Sequence, residues 1–477
     1  MDSQTVIAIS FIVYSLFIVG VGLYTTKLKK KSSDDFVLAG RELGPWTSSL
    51  SASASAESGW VMLGLVGMAF SSGLSTLWIV PGIGIGYLFN WFVLADKLRK
   101  STLECDAVTL PQYISSRFER SGSKLKVIAA IIITAAMLGY VAAQMNAAGK
   151  AFQATFDLDY HWGVLAGALI ILAYTITGGF RAICWTDVIQ ASFMAVALVG
   201  MPLYLLSELG GCAAIASKLV ETDPNLLTLS GANSGSALLG FVVGMLGIGL
   251  GYPGQPHILS RFMATKDEET VKKGGVIAFI WFVLVYLGAI SFGLIARSYF
   301  GALADAEQAL PLAVNEFLPP ILGGFVIAAI VAAICSTADS QLMVVTSTIS
   351  RDILPMFKKS DDESFEKTQN RDRIVLIILA VISVLFALSE NRVIFTFVLY
   401  AWSVLGASFG PLIIFSLLWK KTTRQGAMAG MITGAVVSVV WKETHALSSI
   451  VYELVPAFVL AGLAIWVVSL LTQKIPE

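Results

Sequence analysis

Charge is what this chain has least of. Only 13% of its 477 residues are Asp, Glu, Lys or Arg, against about 25% in a soluble domain. That shortage leaves no room for a sizeable water-facing domain. Net charge is zero, so bulk charge gives no attraction for nucleic acid. Cys105, Cys184, Cys212 and Cys335 lie far apart, without CxxC or metal spacing, and define no disulfide framework. The three histidines, His161, His257 and His445, are equally scattered. A metal-dependent or nucleophilic site is poorly supported, and the chain is not read as an enzyme. The first apolar run, about residues 5–24, is too long for a signal-peptide core and reads as a retained helix.

Apolar residues are what is abundant: 56% of the chain, with mean hydropathy +0.77. Runs of about 20 residues, long enough to cross a bilayer, recur from end to end. The expected fold is an all-α polytopic membrane protein with about 13 transmembrane helices. Their approximate centres are residues 15, 58, 85, 140, 170, 195, 246, 285, 335, 380, 405, 434 and 460. Lysine and arginine set the orientation. With the N-terminus outside, all of the 32 except Lys150, Lys218, Arg297, Arg392 and Lys442 fall on inside loops. The N-terminus is therefore expected outside and the C-terminus inside. The location is a plasma (inner) membrane, with lipid as surroundings and no obligate protein partner evident.

Two spans are interrupted. Leu50 to Trp60 reads Leu-Ser-Ala-Ser-Ala-Ser-Ala-Glu-Ser-Gly-Trp. A charge such as Glu57 at mid-span costs at least about 2.5 kcal/mol and marks a partner or a wet cavity. Ser and Gly suit a helix that unwinds around a ligand; the plainer reading is small residues for close packing. The second interruption is the glycine-rich run Gly244 to Gly251 followed by Tyr252-Pro253-Gly254-Gln255-Pro256-His257. Its prolines and glycines end a helix. Within lipid, such backbone is tolerated only where protein buries it or a cavity meets it. The breaks fall in spans two and seven. Five spans apart, those helices run in opposite directions, as in a five-plus-five inverted repeat. The expected divisions are 1–45 (extra helix and basic linker), 46–207 (first repeat), 208–233 (outer loop), 234–418 (second repeat) and 419–477 (two extra helices).

Other positions carry weaker signals. Ser336 and Thr337, followed by Asp339, put hydroxyls and a carboxylate mid-span. Hydroxyls with carbonyls of a broken helix suit a weakly bound monovalent cation; alternatively the hydroxyls bond back to their own helix. Tyr140 sits among small apolar residues and its hydroxyl needs a partner. Asp187 stands at the inner start of a helix, where the dipole alone would favour it, or it serves an ion or gating role.

With these residues in view, the chain resembles the sodium/proline symporters of the solute:sodium symporter family. The resemblance is closest in Gly40-Arg41-Glu42-Leu43-Gly44-Pro45, Ser58-Gly59-Trp60, Gly249-Leu250-Gly251-Tyr252, Gly254-Gln255-Pro256-His257, Tyr400-Ala401-Trp402 and Gly426-Ala427-Met428-Ala429-Gly430. It implies sodium-coupled symport of L-proline by alternating access, with sodium as the coupled ion and a small molecule as substrate. It further implies a sodium site from Ala54, Glu57 and Ala333 (backbone oxygens) with the hydroxyls of Ser336 and Thr337. The implied substrate site is Ser58, Gly59, Trp60, Tyr140, Tyr252, Gln255 and Pro256. Arg41 and Asp187 match family positions linked to coupling, and Asp339 joins them as a second intramembrane carboxylate. Two positions depart from the proline pattern. Ala56 stands where those symporters carry aspartate, with Glu57 one place later, and Ile248 stands for a tryptophan. The other readings are a sodium- or proton-coupled carrier of another small amino acid or carboxylate, and a cation channel lined by Glu57 and Asp339.

Overall fold

The computed structural model describes residues 3–26, 33–119, 123–357, 365–388 and 394–473, and these are almost wholly helical. Several of the cations used above for orientation lie outside the described residues: Lys27, Lys29, Lys30, Lys31, Arg120, Lys358, Lys359, Arg392 and Lys474. Among the described residues, nine helices are long and apolar enough to cross a membrane. The expected centres near 58, 170, 380 and 434 fall on helices that are interrupted, shorter or more polar.

Polarity is arranged inside out. Large apolar side chains such as Leu16, Leu169 and Leu239 are at least 66% exposed, which in water would form association-prone patches. Ser51, Ser53, Ser55, Glu57, Asp187, Arg261 and Asp339 are buried instead. Lipid as solvent accounts for both.

The first interrupted span begins with helix Pro45–Ala56, whose proline occupies the first turn, where its missing N–H costs nothing. The helix stops at Glu57, which leaves helical geometry (φ −97°, ψ 55°). After Ser58 and Gly59, a π-helical turn, Trp60–Leu65, leads into helix Val66–Ser72. The second interrupted span is helix Gly235–Gly247, a tight 3₁₀ stretch Ile248–Gly254, extended Gln255, and helix Pro256–Met263.

The two spans are antiparallel neighbours. The last residues before the first span pair with those after the second: Leu43 N–H donates to Ala264 O (3.1 Å) and Lys266 N–H to Leu43 O (3.2 Å). Both spans therefore enter or leave the bundle at one end, which opposed directions require. Close backbone approach explains key glycines in the second break. A Cβ at Gly249 would strike the Gly82 carbonyl, and one at Gly251 the Trp402 indole.

Helix Pro320–Thr348 runs through the centre and is almost entirely buried from Gly323 onward. Helix Lys124–Phe156 packs beside it. The long helix Tyr160–Glu208 kinks at Gly179 (φ 65°), a left-handed geometry that glycine adopts without steric cost.

Helix Leu110–Phe118 buries Leu110, Pro111, Tyr113, Ile114 and Ser115, its apolar face packing on helix Lys124–Phe156. One local expectation is corrected. Asp187 is not in a first turn. The helix restarts after Gly179, two turns earlier, so the dipole does not account for Asp187.

Candidate functional site

The first break brings hydroxyls and carbonyls together. Ser336 Oγ donates to Ala54 O (3.0 Å) and Ala333 O (3.1 Å). Thr337 Oγ1 donates to Ser55 O (3.0 Å) and, at 3.4 Å, to Ala54 O. The alternative in which these hydroxyls serve only their own helix is thereby excluded; they cross to Pro45–Ala56. Four of the five expected sodium-site residues, Ala54, Ala333, Ser336 and Thr337, thus meet at one helix crossing.

The fifth, Glu57, points its side chain elsewhere. It is fully buried and accepts three hydrogen bonds. Tyr87 (2.8 Å) and Tyr252 (2.7 Å) donate to Oε1, and Tyr286 donates to Oε2. The rings form a continuous aromatic wall. Tyr87 lies 4.9 Å from Tyr252 and 5.0 Å from Phe282, while Tyr286 is 4.7 Å from Phe282 and 6.0 Å from Trp60.

The residues expected to bind substrate divide into two groups. Ser58, Gly59, Trp60, Tyr140 and Tyr252 gather at the break. Gly59 N–H donates to Gln144 Oε1 (3.1 Å), Trp60 N–H to Ser58 Oγ (3.2 Å), and the Trp60 indole to Ala56 O (3.2 Å). The Gly59 and Trp60 amides are therefore already engaged. Tyr140 stands edge-on to His257, with ring centroids 6.1 Å apart. Among the described residues Tyr140 Oη, Gln144 Nε2 and both His257 nitrogens are buried without a hydrogen-bond partner. That leaves a strip of unsatisfied polar atoms between the breaks, and such groups call for a ligand or water. Gln255 braces the second break: its Nε2 donates to Trp402 O (3.0 Å) and Gly251 O (3.3 Å), while its Oε1 is buried without a partner. Pro256 starts the following half-helix and lines a separate cavity with Leu38, Phe180, Met263 and Met343.

Asp187 and Arg261 form an ion pair (3.1 Å) with both side chains 0% exposed. Ser51 Oγ donates to Asp187 (2.6 Å), Arg261 Nε donates to Ser51 Oγ (3.0 Å), and Arg261 also donates to Ser340 Oγ and His257 O. Asp339 accepts from Ser340 Oγ (3.1 Å), which attaches it to the same network. This network ties both interrupted spans to helices Tyr160–Glu208 and Pro320–Thr348. Arg41, itself at positive φ (56°), donates to the carbonyls of Ala107 (2.7 Å) and Met263 (3.2 Å). It clamps the C-terminal end of helix Pro256–Met263 in the second span.

Tyr87, Tyr286 and Arg261 were absent from the expected site. The two tyrosines stand mid-span, where the rule applied to Tyr140 would have singled them out. Arg261 was counted as an inside-loop cation, and burial corrects that reading.

A profile of the sodium:solute symporter family matches residues 36–434. The chain is 36% identical to an osmoregulated proline transporter of Bacillus subtilis, across 98% of this chain and 95% of that one. It is 35% identical to a sodium/proline symporter of Salmonella typhimurium, across 99% and 94%. Among solved structures, a Na+-coupled sialic acid symporter in a substrate-bound outward-open state superposes with TM-score 0.81 at 19% identity, covering 99% of each chain. A nucleobase-cation-symport-1 transporter in a closed conformation superposes with TM-score 0.53 at 15% identity, covering 92% and 96%.

Proposed function

The chain belongs to the sodium:solute symporter family, and from that premise we propose that it takes up L-proline with sodium by alternating access. It is a multi-pass plasma-membrane transporter, not an enzyme. One observation carries the ion-coupled reading: the Ser336 and Thr337 hydroxyls meet the Ala54 carbonyl where the first span breaks. The solute is suggested by the proline transporters to which the chain is similar along its length.

Sodium would take the carbonyls of Ala54, Glu57 and Ala333 with the two hydroxyls, whose hydrogens must rotate off Ala54 and Ser55. That exchange joins Pro45–Ala56 to Pro320–Thr348 through the ion rather than through direct hydrogen bonds. Binding at the crossing then favours the conformation in which the neighbouring break accepts substrate; this differential affinity is the coupling. Proline would sit against Trp60, Tyr140 and Tyr252, near Ser58 and Gly59, with Gln255 and Pro256 shaping the inner side. Arg41, Asp187 and Asp339 belong to the inner-end contacts that inward opening must rearrange. The proposed frame is two inverted repeats, 46–207 and 234–418, with the N-terminus outside and the C-terminus inside. One sodium crossing a 100 mV potential supplies about 2.3 kcal/mol, enough for about 50-fold accumulation of a zwitterion. The departure at Ile248 favours one second reading, another small amino acid or carboxylate carried by the same machinery, and the departure at Ala56 bears on the ion site.

Uptake of labelled L-proline into proteoliposomes tests this. Accumulation under an inward sodium gradient, abolished when potassium replaces sodium, is the expected result. Accumulation driven equally by a proton gradient would overturn sodium coupling. No accumulation under either gradient would overturn proline as the substrate.

A further inference from the structure

The Glu57 side chain has no role in the scheme above. A carboxylate offers about four lone-pair sites, and the three tyrosine hydroxyls fill two on Oε1 and one on Oε2. Neutral donors orient this buried group without balancing its charge. The buried guanidinium of Arg261 is committed to Asp187, and among the described residues no cationic side chain forms an ion pair with Glu57. A buried charge without a counter-charge is costly, so the arrangement is complete only when a cation arrives.

We propose that Glu57 binds the cationic nitrogen of the substrate and makes it a condition of transport. Two observations favour an organic ammonium over a metal ion. The aromatic rings of Trp60, Tyr87, Tyr252, Phe282 and Tyr286 cluster around the carboxylate, and such rings attract ammonium groups. Sodium would have its own oxygen set at the crossing of Ala54 with Ser336 and Thr337. A small cavity lies behind the Tyr87 and Tyr252 rings, lined also by Ala52, Asn90, Ile258 and Phe262. Both polar atoms of the Asn90 side chain, which lines it, are buried without a partner, so unsatisfied polar surroundings continue beyond the tyrosine pair. Sodium, a zwitterionic solute and the Glu57 carboxylate together form a neutral centre. The inference rests on the proline reading only for its first probe.

The experiment compares wild type with Glu57→Gln, and with Tyr286→Phe, which keeps the ring and removes one donor. Full-length protein is purified and checked for folding by thermal unfolding. Sodium-dependent binding of L-proline and of cyclopentanecarboxylate, the same ring and acid without the nitrogen, is then measured, with a separate sodium titration. Wild type should take proline and refuse cyclopentanecarboxylate. In Glu57→Gln, proline affinity should fall about 100-fold, as for a lost charge-assisted bond, and the preference for proline over its carbon analogue should collapse. Sodium half-saturation should move less than about twofold, since sodium would take the backbone carbonyl of Glu57, which the substitution keeps, and not its side chain. Tyr286→Phe should weaken proline by about tenfold and leave sodium unchanged. Unaltered proline binding in Glu57→Gln, or a fall in sodium affinity with the preference for proline intact, overturns the proposal. If wild type ignores proline, thermal stabilisation by a panel of amines and their nitrogen-free analogues separates the two readings. A cationic solute that stabilises wild type but not Glu57→Gln retires proline and upholds Glu57. Stabilisation only by solutes without a cationic nitrogen overturns the role of Glu57.

Discussion

Removing either member of the Asp187–Arg261 pair should destabilise the protein more than removing both. Each side chain is 0% exposed and they meet at 3.1 Å. Arg261 also holds Ser51, Ser340 and the His257 carbonyl, and lies 4.8 Å over the Phe180 ring. Asp187→Asn leaves the guanidinium without its counter-charge, and Arg261→Met leaves the carboxylate with only the Ser51 hydroxyl. Breaking a buried pair from one side costs about 3–5 kcal/mol, whereas apolar replacement of both is often near neutral. The double variant Asp187→Leu/Arg261→Met should therefore recover most of the loss, because no bare charge remains. Met retains much of the arginine volume and keeps contact with Phe180. The assay is a double-mutant cycle read by thermal unfolding of purified protein in detergent at fixed sodium. Both single variants should unfold well below wild type, and the double variant above either. Additive losses, with the double variant the least stable, would refute the reasoning; so would single losses under about 1 kcal/mol, the size expected of a solvent-exposed pair.

Other consequences are direct. Ser336→Ala and Thr337→Ala should each raise the sodium concentration for half-maximal uptake about tenfold, roughly the worth of one hydroxyl ligand, with proline affinity at saturating sodium unchanged. Gly59→Ala places a methyl 2.9 Å from Ile334 and 3.0 Å from Ala147; such overpacking costs about 1–3 kcal/mol, and transport should fall sharply in the same liposome assay. Lys150 bridges Asp305 (2.9 Å) and Glu307 (2.6 Å), holding the 3₁₀ turn Ala306–Gln308 to the end of helix Lys124–Phe156. Lys150→Met should expose that turn to faster hydrogen exchange while leaving exchange around Asp187 unchanged. Sodium at about 100 times its dissociation constant should stabilise wild type by about 2.7 kcal/mol, and the shift in thermal unfolding should shrink in Ser336→Ala.

The broken spans were legible because they violate a local rule. Prolines and glycine clusters inside apolar runs mark backbone that leaves the helix where protein covers it, while serines also allow close helix packing. Ser336 and Thr337 were legible as oxygen ligands, but their composition alone allowed either a bond to their own helix or a bond across to another. Only the crossing with Pro45–Ala56 decides between them. Gln255 is a second case: its place in the motif suggested substrate contact, and only the fold shows that its Nε2 donates to the Trp402 and Gly251 carbonyls while its Oε1 stays unpartnered.

Membrane insertion, helical class and the sites of unwinding followed from the chain alone, because the bilayer acts on each segment separately: hydropathy, length and backbone satisfaction are local quantities. The partners of the buried charges did not. Glu57 meets tyrosines 30, 195 and 229 residues away, and Asp187 meets an arginine 74 residues away. Such pairings depend on which helix faces share the interior, and that is set by packing across the whole bundle. The sequence by itself thus determined that this chain lives in a membrane and where its helices break; the tertiary structure alone decided which charge each break would hold, because a buried charge is defined by its neighbours.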